Sequence, residues 1–201
     1  MNYKLTVIAT AFNNPVSLLQ MVCNFKLQTR QDFLLHIIHD GRNEELYEFI
    51  KPHLADNMIW SDMDGPNGAG NYPGRNKALK HVKTPYVMFA SDDNYYVPKF
   101  VEFMLEVFEQ NPLVKAISCR CLHNYSSYQY DAVNKPIFKT GYIDLGQTIF
   151  DYETIKEIGF FKEDMPEGKI GTQDGDLCER LAEKYPNDIR CTLDLCLYVH
   201  N

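Results

Sequence analysis

The residues best suited to chemistry in this sequence are two neighbouring aspartates, Asp92 and Asp93, which closely follow the apolar run Tyr86–Ala90. Such a run is typical of a buried strand, so both carboxylates would stand at its carboxyl end. Mg²⁺ and Mn²⁺ prefer carboxylate oxygens and are commonly held by one or two of them together with substrate phosphates. The same acids also suit a turn or an N-cap before a helix at Pro98, and spacing alone does not decide between the two.

Two further acidic pairs have the spacing Asp-x-Asp. Asp62 and Asp64 lie in a segment rich in glycine and proline, where acids commonly form turns. Asp174 and Asp176 lie at the start of a predicted helix, where the positive end of the helix dipole favours acids. Capping is therefore the alternative to a chemical role for Asp174.

Glycines precede one basic candidate, Arg75. Gly68, Gly70 and Gly74 only weakly resemble the glycine motif of dinucleotide-binding proteins, because they follow the third predicted strand instead of the first. They favour a loop that leads into a short helix and presents Arg75 at a cleft. Arg75 is then either a solvated surface charge or a nucleotide ligand.

The histidines form no obvious metal set. His36 and His39 are three residues apart on a predicted strand, so their side chains face opposite sides of a sheet. His200 ends the last predicted strand, where it has either a structural role or folds back on a cleft.

The elements that must position these residues alternate between strand and helix. The predicted strands are 5–9, 33–39, 58–60 and 86–90, the predicted helices between them begin near Pro15, Glu44 and Arg75, and another helix opens at Pro98. This order predicts an α/β fold with a mostly parallel central sheet flanked by helices on both faces. Ligands bind beyond the carboxyl ends of such strands, which places the site after Ala9, Ile38, Trp60 and Ala90.

The second half of the chain is less regular. Its predicted strands are 116–122, 147–150 and 189–199, and its predicted helix is 174–185. No repeat or linker interrupts the 201 residues, so we expect one domain over 1–201.

Composition excludes several classes of protein. The net charge of −7 disfavours nucleic-acid binding, since a negative surface repels phosphate backbones. No apolar stretch approaches the ~20 residues of a transmembrane segment, and the first residues do not have the pattern of a signal peptide. The six cysteines contain no C-x-x-C pair, which favours free thiols in the cytoplasm.

Six motifs together resemble, in order, those of the family 2 glycosyltransferases of GT-A fold, and the Asp-Asp-Asn motif is closest to SpsA-like members. They are Val7–Pro15, Leu27–Phe33, Ile37–Gly41, Gly74–Leu79, Tyr86–Asn94 and Gly171–Asp174. This sequence departs from the family's motifs at three positions. Ser91 stands where most relatives carry the first acid, Gln173 replaces a glutamate, and Asn14 replaces a common arginine.

The resemblance implies roles for residues of a nucleotide site. Thr10 and Phe12 would line the base pocket, with Phe12 stacking on a pyrimidine, and Asp40 would accept a hydrogen bond from the base. Arg75 would meet the nucleotide, and Asp92 would bind near the ribose or diphosphate.

It also implies the reacting groups. Asp93 would hold Mn²⁺ or Mg²⁺ on the diphosphate, with His200 as a further metal ligand. Asp174 would be the catalytic base that deprotonates an acceptor hydroxyl. The nucleotide-binding half would be about 1–98, and the acceptor and catalytic half about 99–201.

The implied function is that of a metal-dependent, inverting glycosyltransferase. It would move a sugar from a nucleotide-diphospho-sugar donor, UDP-linked, to a saccharide, lipid or other hydroxyl acceptor. One alternative is a non-catalytic nucleotide-sugar binding domain, which the departure at Ser91 would suit. Another is a nucleotidyltransferase, although Thr10–Asn14 lacks the glycines and basic residue that such an enzyme needs there.

Overall fold

The computed structural model describes residues 2–68, 70–123, 133–134, 136–164 and 172–200. Its strands are β1 (Leu5–Ala11), β2 (Phe33–His39), β3 (Met58–Asp62), β4 (Tyr86–Ser91), β5 (Tyr95–Tyr96), β6 (Ala116–His123), β7 (Val133–Asn134), β8 (Thr148–Asp151) and β9 (Ile189–His200). Its α-helices are α1 (Pro15–Lys26), α2 (Glu44–Ile50), α3 (Tyr72–Leu79), α4 (Phe100–Gln110), α5 (Tyr152–Ile158) and α6 (Gln173–Lys184). Short 3₁₀ turns follow at Lys51–His53 and Leu145–Gln147.

The strands form one sheet in the order β3-β2-β1-β4-β8-β6-β9-β5, with β7 paired to β6. β1 runs parallel to β2 and β4, β2 runs parallel to β3, and β6 runs parallel to β9. The antiparallel pairings of β4 with β8, β8 with β6, β5 with β9 and β6 with β7 are shorter. The sheet is therefore mostly parallel, and the predicted α/β class is confirmed.

The alternation of side chains along β1 explains the two helical layers. Leu5, Val7 and Ala9 point into the core that α1, α2 and α4 cover, whereas Ile8 points into the core beneath α3, α5 and α6. All four are buried, because helices cover both faces. Among the described residues, no helix is long and apolar enough to cross a membrane.

Helix starts follow local capping chemistry. The Asn14 side chain accepts a hydrogen bond from the Ser17 N–H, and Pro15 occupies the first turn of α1, as expected. The helix predicted from Arg75 begins instead at Tyr72, because Asn71 caps it through the Gly74 N–H. The sequence patterns did not indicate α5, which begins where the Asp151 side chain accepts a hydrogen bond from the Thr154 N–H.

The helix predicted at Pro98 begins at Phe100, and its N-cap residue Lys99 makes no side-chain capping bond. Asp92 and Asp93 lie in the turn between β4 and β5, well before that helix. Capping of α4 therefore does not explain these two acids.

The register of the parallel strands brings the predicted site residues to one edge. Thr10 is level with Ser91 on β4, and Ala11 is level with His39 on β2. The Asp92 N–H donates to the Thr10 carbonyl at 3.0 Å, which ties the end of β4 to the end of β1.

Candidate functional site

A cavity of about 340 Å³ opens at the carboxyl ends of β1, β2 and β4. Five predicted site residues line it, namely Thr10, Phe12, Asp40, Asp92 and Asp93. Its opposite wall is the loop after β3, through Gly68, Gly70 and Asn71.

A smaller cavity of about 140 Å³ adjoins the first, and the two share Gly70 and Ser91. Arg75 and Asp174 line this second cavity. A third charged group, Asp144, lies there as well, and the sequence patterns did not indicate it. The structure thus brings Asp93 and Asp174 to two connected parts of one cleft.

Asp92 is tied to the backbone of the first loop. Its Oδ2 accepts a hydrogen bond from the Phe12 N–H at 3.0 Å. Burial raises the pKa of Asp92 to about 6, helped by the neighbouring Asp93 carboxylate and opposed by the Phe12 N–H. This bond orients Asp92 and, with it, the start of the Phe12 loop.

Asp93 has an oxygen that receives no hydrogen bond from any described residue. Its Oδ1 is buried without a hydrogen-bond partner, and burial raises the pKa of Asp93, with the nearby His200 opposing the rise. An unpartnered carboxylate oxygen is what a hard divalent cation would bind, so the residue fits a metal. No three His, Cys, Asp or Glu side chains in the described part of the chain could hold an ion together, so most ligands would have to come from a substrate or water.

Asp40 anchors the glycine-rich loop. Its carboxylate accepts hydrogen bonds from the Asn67 N–H at 2.8 and 2.9 Å, from Asn67 Nδ2 at 2.8 Å and from the Gly68 N–H at 3.1 Å. Asp40 lines the first cavity, but its oxygens already accept hydrogen bonds from the loop after β3.

Phe12 presents an aromatic face to the first cavity and is 55% exposed. On the protein side, the ring of the buried His39 stacks on Phe12, with 6.1 Å between the ring centroids and an angle of 23° between the ring planes. Trp60 stacks on His39 in turn, at 5.6 Å and 19°. His39 thus supports Phe12 from behind, a contact that the sequence did not predict.

Arg75 is only 5% exposed, so the alternative of a solvated surface charge is wrong. Its guanidinium lies 5.7 to 6.0 Å from the rings of Tyr72, Phe89 and Phe161 and donates from Nη2 to Thr10 Oγ1 at 3.2 Å. Its Nε is buried and has no hydrogen-bond partner in the part of the chain that the structure describes, and burial lowers the pKa of the guanidinium. A buried cation with an unused donor suits an anionic ligand.

Asp174 lies in the first turn of α6, whose N-cap residue Thr172 makes no side-chain capping bond. Gly171, the first residue of the predicted motif, is outside the described residues. Asp174 Oδ1 accepts only from the adjacent Gly175 N–H at 2.7 Å among the hydrogen bonds described. Desolvation raises the pKa of Asp174, while the Gly175 N–H and Arg75 oppose the rise.

His200 contacts Asp144, which lines the second cavity. Its Nδ1 lies 3.0 Å from Asp144 Oδ2, and the hydroxyl of Tyr198 donates to Asp144 Oδ1 at 2.8 Å. The hydrogen bond to Asp144 raises the pKa of His200. Burial alone would raise the pKa of Asp144. The hydrogen bonds from His200, Gly146 and Tyr198 outweigh this effect, so the pKa is lowered.

A family profile described as glycosyl transferase family 2 matches residues 6–174. The chain is also similar to the teichoic acid poly(glycerol phosphate) polymerase of Staphylococcus epidermidis, at 32% identity over 108 residues, which are 52% of this chain and 15% of the polymerase. An uncharacterized glycosyltransferase of Rickettsia bellii is 26% identical over 114 residues, 55% of this chain and 16% of that protein. These alignments span less than a fifth of either relative.

Two solved structures have a similar fold. TarS residues 1–349 of S. aureus, in complex with UDP, has a TM-score of 0.76 at 16% identity, over 98% of this chain and 60% of that chain. The mannosyltransferase PcManGT of Pyrobaculum calidifontis, in complex with GDP-Man and Mn²⁺, has a TM-score of 0.76 at 16% identity, over 100% of this chain and 57% of that chain.

Proposed function

Because the chain belongs to glycosyl transferase family 2 and has its GT-A fold, we propose that it moves a sugar from a UDP-linked donor to an acceptor hydroxyl, with inversion at the anomeric carbon. The observation that carries this proposal is the connected cleft that holds an unpartnered Asp93 oxygen, the caged Arg75 cation and the Asp174 carboxylate. The complexes of TarS with UDP and of PcManGT with GDP-Man support a nucleotide-sugar donor.

The nucleoside would occupy the larger cavity. Phe12 offers an exposed ring for the base, and Thr10, Asp40 and Asp92 supply polar groups around the base and ribose. Asp40 can accept a hydrogen bond from the base only if that bond replaces one that Asp40 now accepts from Asn67 or Gly68. We therefore expect the loop after β3 to rearrange when a nucleotide binds.

The diphosphate would lie where the two cavities meet. The Arg75 guanidinium would face its negative charge, and the low exposure of this cation strengthens such an attraction. Asp93, with His200 as a further ligand, would hold Mn²⁺ or Mg²⁺, which when bound supplies positive charge to the leaving diphosphate. The Mn²⁺ complex of PcManGT supports the use of a divalent cation, whereas the choice of Asp93 rests on its unpartnered oxygen.

Asp174 would act as the catalytic base. The acceptor oxygen attacks C1 of the donor sugar, its proton goes to Asp174, and the bond from C1 to the diphosphate oxygen breaks. Desolvation of Asp174 raises its pKa, which makes the carboxylate a better proton acceptor near neutral pH. Attack opposite the leaving group inverts the anomeric centre.

The two halves of the chain would divide this work. Residues of about 1–98 supply the proposed nucleotide ligands, and residues of about 99–201 supply Asp174, His200 and the surface for a hydroxyl acceptor within one domain. Cys119, Cys121 and Cys178 are buried and form no disulfide within the described part of the chain, which supports a reducing, cytoplasmic setting.

Calorimetry with UDP and GDP, with and without Mn²⁺, tests this function. We expect UDP to bind more tightly than GDP, and Mn²⁺ to increase the affinity. Hydrolysis of UDP-sugars in the presence of Mn²⁺ then separates an enzyme from a binding domain without turnover. A protein that binds neither nucleotide in either condition contradicts the proposal.

A further inference from the structure

We propose that Asn94 is a specificity-determining residue, whose carboxamide oxygen accepts a hydrogen bond from a hydroxyl of the donor sugar in the second cavity of the cleft. The inference rests on the proposed function, since it concerns the sugar of the same donor. It gives a role to the last residue of the motif Tyr86–Asn94, which does not line the first cavity.

Asn94 lines the second cavity, which has a mostly polar wall and also contains Arg75, Asp144 and Asp174. The residue before it, Asp93, lines the first cavity. Consecutive residues of one turn therefore lie at two connected cavities. A donor whose diphosphate is beside Asp93 would extend its sugar towards Asn94.

The side chain of Asn94 contains an unpaired acceptor. Asn94 is only 4% exposed, and its Oδ1 is buried and accepts no hydrogen bond from a described residue. A buried amide oxygen without a donor costs free energy, so most such oxygens in folded proteins are paired. Arg75 Nε is a second buried polar atom in this position at the same cavity. A ligand rich in hydroxyls, as a sugar is, supplies the missing donor.

The turn itself does not explain why an asparagine stands here. Asparagine is common in turns because its side chain binds nearby backbone or because it tolerates a positive φ. Within the described residues, Oδ1 of Asn94 has no such bond, and its φ is not positive. The Asn94 N–H donates to the Ser91 carbonyl at 3.3 Å, and the Tyr96 N–H donates to Asn24 Oδ1 at 3.2 Å. These contacts hold the turn without the Asn94 oxygen, which stays available to a ligand.

The variant Asn94→Ala tests the inference by calorimetry in the presence of Mn²⁺. The probes are UDP, UDP-glucose, UDP-galactose and UDP-N-acetylglucosamine. We expect the variant to bind the tightest of the three UDP-sugars about 3- to 10-fold more weakly than the wild type does, which is the range for one hydrogen bond. Its affinity for UDP should stay within about twofold, because UDP has no sugar to place in the second cavity.

Monodeoxy analogues of that UDP-sugar identify the hydroxyl. In the wild type, one analogue should bind about 3- to 10-fold more weakly than its parent. In Asn94→Ala, the same analogue and its parent should bind equally, because the partner of the hydroxyl is gone. A residue that only shapes the turn would not produce this coupling.

Asn57→Ala is the matched control. Asn57 is also buried, at 8% exposure, but it lines neither cavity, and its Nδ2 donates to the Phe33 carbonyl at 3.1 Å. Losing this bond should lower the urea concentration at which the protein unfolds, whereas Asn94→Ala should unfold closer to the wild type. The ratio of UDP-sugar affinity to UDP affinity should not change in Asn57→Ala.

An Asn94→Ala variant that weakens UDP and UDP-sugar equally, or weakens neither, overturns the inference. A wild type that binds every monodeoxy analogue as tightly as the parent overturns it even where the variant fails to fold, and so does a wild type that binds UDP but none of the three UDP-sugars. These outcomes leave the proposed nucleotide site intact. A wild type that binds none of the four probes contradicts the proposed function and the inference together.

Discussion

Asp93 and Asp174 are both partly buried carboxylates with raised pKa values, but their surroundings differ. Asp93 has a buried oxygen with no donor among the described residues, whereas Asp174 lines the same cavity as Arg75. The first environment suits an ion, and the second suits a group that takes up a proton. Substitutions at the two positions should therefore affect different steps.

Asp174→Asn should lower kcat by about 10²- to 10⁴-fold, because the amide cannot accept the acceptor proton. The bond from the Gly175 N–H can persist to the amide oxygen, so UDP affinity should stay within about twofold. Steady-state kinetics and calorimetry measure both effects. Asp176→Asn makes the same change on the same helix turn, outside both cavities, and should retain turnover. Full activity in Asp174→Asn would exclude this residue as the base.

Asp93→Ala should abolish the Mn²⁺-dependent part of UDP binding and spare the remainder, since the cation loses its carboxylate ligand. Calorimetry at several Mn²⁺ concentrations measures the effect. Asp64→Ala is the matched control, because Asp64 belongs to the competing Asp-x-Asp pair and is exposed on the loop after β3. If Asp64→Ala removes the Mn²⁺ dependence and Asp93→Ala does not, the metal assignment is wrong.

At the scale of elements, the contact between α6 and the turn at 137–142 determines where Asp174 lies. The Thr140 N–H donates to Glu179 Oε1 at 2.9 Å. Gly175 packs so closely on Thr140 that a Cβ would lie 2.4 Å from its Oγ1 and 2.6 Å from its Cα. Only glycine allows this approach, and Asp174 is its immediate neighbour.

Gly175→Ala should therefore push the turn and α6 apart. We expect a loss of about 1–3 kcal/mol in the free energy of unfolding, measured with urea, because the clash involves backbone. The displaced Asp174 should also lower kcat. Gly65→Ala, where a Cβ would meet nothing within 4 Å, should leave stability and turnover close to the wild type. Equal stability of Gly175→Ala and the wild type would show that the contact is loose in solution.

At the scale of the whole molecule, ion pairs join the start of β1, the segment before β2 and the end of α4. Arg30 pairs with Asp32 at 2.8 Å and with Glu109 at 2.6 Å, and Lys4 also pairs with Glu109. The hydrogen bonds from Arg30 and Lys4 lower the pKa of Glu109 to about 2. A carboxylate with a lowered pKa stabilises the fold above its ordinary pKa and loses that contribution as the pH falls.

Glu109→Gln should thus destabilise the protein at neutral pH. Its side chain is 37% exposed, so solvent screening limits the expected loss to about 0.5–1 kcal/mol. The difference from the wild type should shrink as the pH falls from 4.5 towards 2, which urea unfolding at several pH values measures. Glu48→Gln removes a carboxylate from a more exposed pair and should change stability less. A difference that is independent of pH would rule out this electrostatic origin.

The sequence by itself determined the alternation of strands and helices up to β4 and the family, and it predicted the edge of the sheet at which the candidate site lies. β2 has the predicted bounds, and the motif-based resemblance is confirmed by the family profile over residues 6–174. Apolar periodicity and capping residues act over a few positions, which is why they can be read locally.

Only the tertiary structure decided which distant groups meet at that edge. The Arg75 guanidinium is buried because the rings of Phe89 and Phe161 pack against it. Asp144 contacts His200 because β9 pairs with β6 beside the turn at Leu145. Such contacts join residues far apart in the chain, and no local pattern encodes them. Burial and hydrogen bonding, which set the ionisation of these groups, exist only once the layers have packed.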